Sequence, residues 1–163
     1  MPIVLLGFMG VGKTTTAHLL NLPVYDMDHI IEERIGMPIA DYFSLEGEAS
    51  FRQLETEVLK ELLDLPSNCI VSTGGGVIKS EVNRELLLAN RENNVLLTAS
   101  FDVSYQRISK DRQSQRPLFL QYSKEEFEAL YRERMALYQG LADTVIDTDK
   151  LNPEQVARKI LCK

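Results

Sequence analysis

The chain has no tryptophan, two cysteines and two histidines among its 163 residues. Cys69 and Cys162 stand in no metal-ligand spacing, and so few thiols suit a reducing compartment rather than a disulfide scaffold. Cys69 lies in an apolar, strand-like run and is expected to be a small buried side chain; neither thiol reads as catalytic. His18 and His29 fall on helical stretches, where surface or packing roles are expected before ligation. A basic excess is also missing. The net charge of −6 argues against a nucleic-acid partner, which calls for a basic face. No apolar run approaches the ~20 residues of a membrane span, so no membrane association is expected. The first residues show no basic segment leading into an apolar stretch and a small-residue cleavage site, so a cytoplasmic location is expected. Repeats, low-complexity tracts and linkers are absent too, and residues 1–163 read as one domain.

What is present starts with Gly7-Phe8-Met9-Gly10-Val11-Gly12-Lys13-Thr14. It follows the apolar run Ile3–Leu6 and precedes a helical stretch read as Thr14–Leu20. Strand, glycine-rich loop and helix are the setting in which this spelling binds phosphate. Gly7, Gly10 and Gly12 let the backbone curl and aim N–H groups at phosphate oxygens. The helix start adds unpaired donors and the positive end of a dipole. Lys13 is placed to reach the β- and γ-phosphates, and the Thr14 hydroxyl to ligate Mg²⁺. The competing reading is a tight turn that only imitates a nucleotide site.

Further along, short apolar runs alternate with helical periodicity. Strands are expected over Leu22–Tyr25, Cys69–Thr73, Val95–Thr98 and Thr144–Asp147. Asp28 is expected to begin a helix that stops at Gly36. A short helix over Pro38–Phe43 and a longer one after Gly47 should follow, the second with Phe51, Leu54, Val58, Leu59 and Leu62 on its apolar face. Helices are also expected over Ser80–Asn90 and Phe101–Lys110. Ser123 to Glu126 spells a capping box for a helix to Tyr138, and Asn152-Pro153 an N-cap with a first-turn proline. Asp111 to Tyr122 reads as a mobile loop. Five strands alternating with helices indicate an α/β fold, a three-layer α/β/α sandwich on a five-stranded parallel sheet. Ligands in such sheets bind beyond the carboxyl ends of the strands. The phosphate loop, Asp26/Asp28 and Gly74-Gly75-Gly76 all follow strands and should converge there.

Asp26 and Asp28 could divide two tasks, one holding the water shell of Mg²⁺ and the other a substrate hydroxyl. Alternatively Asp28 only caps its helix. The triple glycine implies either unusual dihedrals or close approach of a ligand; ligand contact is the reading adopted. Ser72 could join the Mg²⁺ water network. Arg52, Arg116 and Arg134, with Arg107 a weaker candidate, are the residues suited to carboxylate or phosphate. Each is equally able to be a solvated surface arginine.

In order and spacing these motifs, with Gly47 to Arg52 and Glu55, Arg116-Pro117-Leu118 and Arg134 to Tyr138, resemble the shikimate kinase family of small P-loop kinases nearly end to end. The resemblance implies a P-loop NTPase fold with a lid over about 111–122 and a substrate-binding segment over about 28–60. It implies ATP held by Gly7, Met9, Gly10, Val11, Gly12, Lys13, Thr14 and Thr15, with Arg107 stacked on adenine, Pro153 beside it, and Arg116 closing from the lid. It implies shikimate held by Asp28, Arg52, Gly74, Gly75, Gly76, Arg116 and Arg134, with Phe43 and Phe51 as an aromatic wall. Mg²⁺ would be organised by Thr14 and, through water, by Asp26 and Ser72. Lys13, Asp28 and Arg116 would carry catalysis, and the protein would act as a monomer. A kinase for another hydroxy acid such as gluconate, or a non-catalytic nucleotide-binding module, are the alternatives. One departure stands out: thirteen positions from Lys13 to Asp26 are about one helical turn fewer than the family's usual spacing, so the first helix or its loop should be trimmed.

Overall fold

The computed structural model describes residues 1–110 and 122–162. The expected lid, Arg116 included, lies outside the described residues except for Tyr122.

Five short strands form one parallel sheet: β1 (Ile3–Leu6), β2 (Val24–Asp26), β3 (Ile70–Ser72), β4 (Asn94–Thr98) and β5 (Thr144–Asp147), in the order β2-β3-β1-β4-β5. Helices α1 (Lys13–His18), α2 (Met27–Ile35), α3 (Ile39–Leu63), α4 (Glu81–Ala89), α5 (Phe101–Lys110), α6 (Lys124–Tyr138) and α7 (Pro153–Leu161) connect and cover it.

Strand side chains alternate between faces, and the core divides accordingly. Val4 and Leu6 of β1 pack with Met27, Ile31, Val58, Leu59 and Tyr138 from α2, α3 and α6. Leu5 turns to the opposite face, with Ala17 of α1 and Val156, Ala157 and Ile160 of α7. Both faces are therefore buried, which is why the central strands read as continuous apolar runs. These are the three layers the composition of the strands demands.

The helix termini follow local chemistry. Ser123 and Glu126 complete both halves of a capping box, as do Asn152 and Gln155, with Pro153 at the first helical position. Gly47 breaks α3 in two, its φ of 86° lying in the left-handed region, so the expected pair of helices is present as two rods meeting at that glycine. One expectation is corrected. Asp26, not Asp28, caps α2: its Oδ1 accepts from the His29 N–H at 3.2 Å, and Asp28 sits in the first turn. Because β2 extends through Asp26, the chain turns into helix one residue sooner than the sequence pattern suggests.

The connection from Lys13 to Asp26 begins with α1, which has six residues. A left-handed Asn21 then turns the chain, and the Pro23 carbonyl accepts from Ile70 N–H at 2.9 Å as β2 joins β3.

Candidate active site

The sheet order sets the site. The chain leaves β1 toward β2 on one side and leaves β3 toward β4 on the other, so a crevice opens between the carboxyl ends of β1 and β3. The phosphate loop forms one wall and Gly74-Gly75-Gly76 the other.

In the loop, Gly10 and Gly12 adopt φ of 83° and 93°, conformations that an L side chain rarely takes. A Cβ on Gly10 would also stand 2.7 Å from Ile108 Cγ1. Gly12 caps α1 without a side-chain hydrogen bond, leaving the helix's first N–H groups directed at the crevice. Lys13 is nearly buried and folds over its own loop, its Nζ donating to the Gly7 carbonyl at 2.5 Å. The Thr14 hydroxyl donates to Asp26 Oδ2 at 3.0 Å and lies 3.3 Å from the Ser72 hydroxyl. Three oxygens from α1, β2 and β3 thus gather at one point. They are hard donors of the kind Mg²⁺ takes.

Two cavities meet at Gly12 and Thr15. The larger, about 280 Å³, is lined by Met9, Gly10, Lys13, Thr14, Asp26, Asp28, Thr73 and Gly75. The other, about 170 Å³, is lined by Val11, Thr16, Arg107, Thr148, Leu151, Pro153 and Val156. Arg107 is held there by Thr148, donating to its hydroxyl and its carbonyl at 3.2 Å each. A cavity lined by Val11, Leu151, Pro153 and Val156 with an arginine on its wall suits a heterocyclic base.

The acceptor side is built around the triple glycine. None of Gly74, Gly75 and Gly76 has a positive φ, so unusual dihedrals do not explain them. Space does. A Cβ on Gly74 would stand 2.7 Å from Asp28 Oδ1, and one on Gly76 2.7 Å from the Arg52 guanidinium. Arg52 Nη1 donates to the Gly76 carbonyl at 3.0 Å and to Glu55 Oε1 at 2.9 Å. Phe43 and Phe51 pack at 4.7 Å between centroids, with the Arg52 guanidinium 5.8 and 5.2 Å from their rings. Arg134 is 3% exposed, donates from Nη1 to the Gly75 carbonyl at 3.2 Å, and keeps a buried Nε with no hydrogen-bond partner among the described residues. Burial pushes its pKa below the usual arginine value, and neighbouring Arg52 pushes the same way. The guanidiniums of Arg52 and Arg134 thus reach the triple glycine from α3 and α6, donor groups of the kind that suit an anion.

Two residues of this arrangement were not assigned a role from the sequence. Glu55 is 1% exposed, and burial raises its pKa against the opposing pull of Arg52. A readable signal existed: Glu55 lies four residues from both Phe51 and Leu59, on the apolar face of α3. Tyr138 is completely buried and donates to the Gly7 carbonyl at 2.7 Å, with the Gly75 carbonyl 3.3 Å away. Its position four residues after Arg134 gave a shared helix face but no hint of these partners. The histidines stay outside: His29 pairs with Glu33 on the surface of α2, and His18 ends α1 in solvent.

Sheet order, phosphate loop and adjoining acceptor pocket define a P-loop kinase acting on a small molecule. A sequence model for shikimate kinase matches residues 9–163. The chain is 96% identical over 163 residues to a shikimate kinase of Streptococcus suis, covering all of both chains. Among solved structures, shikimate kinase from Aquifex aeolicus superposes with a TM-score of 0.82 at 35% identity, over 99% of this chain and 95% of that one. Shikimate kinase from Acinetobacter baumannii in complex with shikimate gives 0.80 at 32%, over 98% and 90%. The chain belongs to the shikimate kinase family.

Proposed function

We propose that the chain, acting as a monomeric cytoplasmic enzyme and a single catalytic unit, transfers the γ-phosphoryl group of ATP to the 3-hydroxyl of shikimate, giving shikimate 3-phosphate and ADP. The observation that carries this reading is one cavity shared by Lys13 and Thr14 of the phosphate loop and by Asp28 and Gly75 of the acceptor side.

The adenine occupies the slot beside Arg107 and Pro153, and the phosphates lie along Met9 to Thr15, where backbone N–H groups meet them. Lys13 exchanges the Gly7 carbonyl for the β- and γ-phosphates. Thr14, Asp26 and Ser72 are the residues that would hold Mg²⁺, the latter two through water, and the ion would supply positive charge to the phosphate oxygens. The shikimate carboxylate pairs with Arg52 and Arg134, a fork-shaped donor set suited to it. Gly74 to Gly76 let the ring approach the backbone, Phe43 and Phe51 wall it, and Asp28 accepts a hydrogen bond from the ring hydroxyls. The hydroxyl oxygen bonds to the γ-phosphorus as the bond to the ADP oxygen breaks, and the hydroxyl proton passes to the Asp28 carboxylate. Positioning and charge neutralisation carry most of the acceleration in such a transfer. Arg116, from the lid over about 111–122, is assigned the remaining charge on the transferring group.

A coupled assay of ADP release with Mg-ATP tests this, comparing shikimate, gluconate and no acceptor. Release that depends on shikimate is expected. Release with gluconate alone would replace the acceptor, and none with either would leave a nucleotide-binding module.

A further inference from the structure

Arg52 has two carboxylates beside it. Glu55 Oε1 accepts from Nη1 at 2.9 Å, and Glu48 Oε1 lies 3.5 Å from Nε. Nη1 also donates to the Gly76 carbonyl at 3.0 Å, and a Cβ on Gly76 would stand 2.7 Å from Nη1 and Nη2 alike. The Nη1–Nη2 edge of the guanidinium is thus packed against the triple glycine. A carboxylate that pairs with Arg52 through two parallel hydrogen bonds needs the other edge, Nε with Nη2. That is the edge Glu48 approaches.

A lysine holds Glu48 back. Lys79 Nζ donates at 2.7 Å to Glu48 Oε1, the same oxygen that stands 3.5 Å from Arg52. This hydrogen bond is the foremost cause of the lowered Glu48 pKa, and the pull of Arg52 comes after it. The backbone fixes where the lysine starts. Lys79 ends the short turn Val77–Lys79 that follows the triple glycine, and its N–H donates to the Gly76 carbonyl at 3.1 Å. Arg84 Nη1 donates to the Ile78 and Lys79 carbonyls at 2.7 and 3.1 Å. We propose that Lys79 is a positioning residue of the acceptor pocket: by engaging the Glu48 carboxylate it keeps the Nε–Nη2 edge of Arg52 open to the carboxylate of the acceptor. This inference rests on the reading above that Arg52 takes that carboxylate. Without Lys79, two carboxylates share one guanidinium, and an incoming anion has to displace Glu48 against a surplus of negative charge. With it, two cations balance two anions, and the shorter contact of Glu48 is with the ammonium. The Lys79 and Glu48 side chains are 37% and 50% exposed, so their pairing contributes little to folding. Its effect is on the partner Arg52 keeps.

Lys79→Met keeps an unbranched stem and removes the charge, and Glu48→Gln removes the carboxylate. Both side chains reach solvent, so folding should survive. KM values for shikimate and ATP are measured in wild type, each variant and the double variant. Lys79→Met should raise the shikimate KM about three- to tenfold, between the scale of an exposed ion pair and that of a charged hydrogen bond, and leave the ATP KM unchanged. Glu48→Gln should take shikimate at least as well as wild type. The double variant should return to the value of Glu48→Gln, since no carboxylate is left to hold back. In an Arg52→Ala background, Lys79→Met should raise the shikimate KM no further, a result that a purely structural role would not give. A wild-type KM in Lys79→Met overturns the proposal, as does a further rise in the Arg52→Ala background. Weaker shikimate binding in Glu48→Gln overturns it too, since Glu48 would then be orienting Arg52, and so does a double variant no better than Lys79→Met. Shikimate-dependent ADP release by the wild-type protein tells failure of the Lys79 role from failure of the assigned reaction.

Discussion

Arg52 donates from Nη1 to Glu55 Oε1 at 2.9 Å, and the carboxylate that receives it is sealed from solvent. The pair is one turn of α3, and it aims the guanidinium at the triple glycine, where Nη1 also meets the Gly76 carbonyl. Glu55→Ala should therefore weaken shikimate binding without touching ATP. The loss should be about 1.5–3 kcal/mol, the scale of a hydrogen bond to a charged group. Steady-state KM values for the two substrates check it; a rise confined to ATP would place Arg52 elsewhere.

Glu55 also sets a pH dependence. Burial holds its carboxyl above the ordinary value of 4.5, with Arg52 offsetting part of the effect. An acid with a raised pKa binds more protons when folded, so stability falls as pH climbs from about 4.5 through the folded value. Glu48, lowered by its hydrogen bond with Lys79, has the opposite sign and loses its contribution as pH falls. Comparing Glu55→Gln with wild type cancels Glu48. The variant should gain on wild type between pH 4.5 and 7 in urea midpoints, and a constant gap would show that Glu55 is not shifted.

The two glycines flanking Gly75 should fail differently. A Cβ on Gly74 displaces Asp28, while one on Gly76 displaces the Arg52 guanidinium. Both neighbours are ends of flexible side chains, so folding should survive. Gly74→Ala should lower kcat on the order of 10–10²-fold, the scale of about 1 Å of misplacement. Gly76→Ala should instead raise the shikimate KM. Identical kinetic losses in both variants would argue that the loop, not the side chains, had moved.

Lys13→Ala should lower kcat on the order of 10²–10³-fold or more, the scale of one preorganised charge donor. Near-normal turnover would remove Lys13 from the mechanism.

The fold was legible because β1, β3 and β4 are buried on both faces and spell it as apolar runs, with Ser123 and Asn152 announcing their helices. The phosphate loop was legible because its glycines and Lys13-Thr14 are contiguous. The Asp26 cap was missed since two aspartates separated by a single residue offer equivalent caps, and only the length of β2 decides between them. The purpose of Gly74 and Gly76 was hidden for a different reason. It lies in side chains of α2 and α3, distant in sequence and aimed at the absent Cβ. Tyr138 was hidden likewise, its partners being backbone carbonyls that carry no signature.

The short α1 has a consequence for tolerance to length change. Asp26 is not located by the path of chain from Lys13; it is located by β2 pairing with β3, where Asp26 stands opposite Ser72. Thr14 is fixed independently by the loop after β1. Between them Leu20 is held in the core and Pro23 by the Ile70 N–H, which leaves the left-handed turn at exposed Asn21 as the join. That turn is a splice point: residues can be added or removed there while the oxygens of Thr14, Asp26 and Ser72 keep their meeting place.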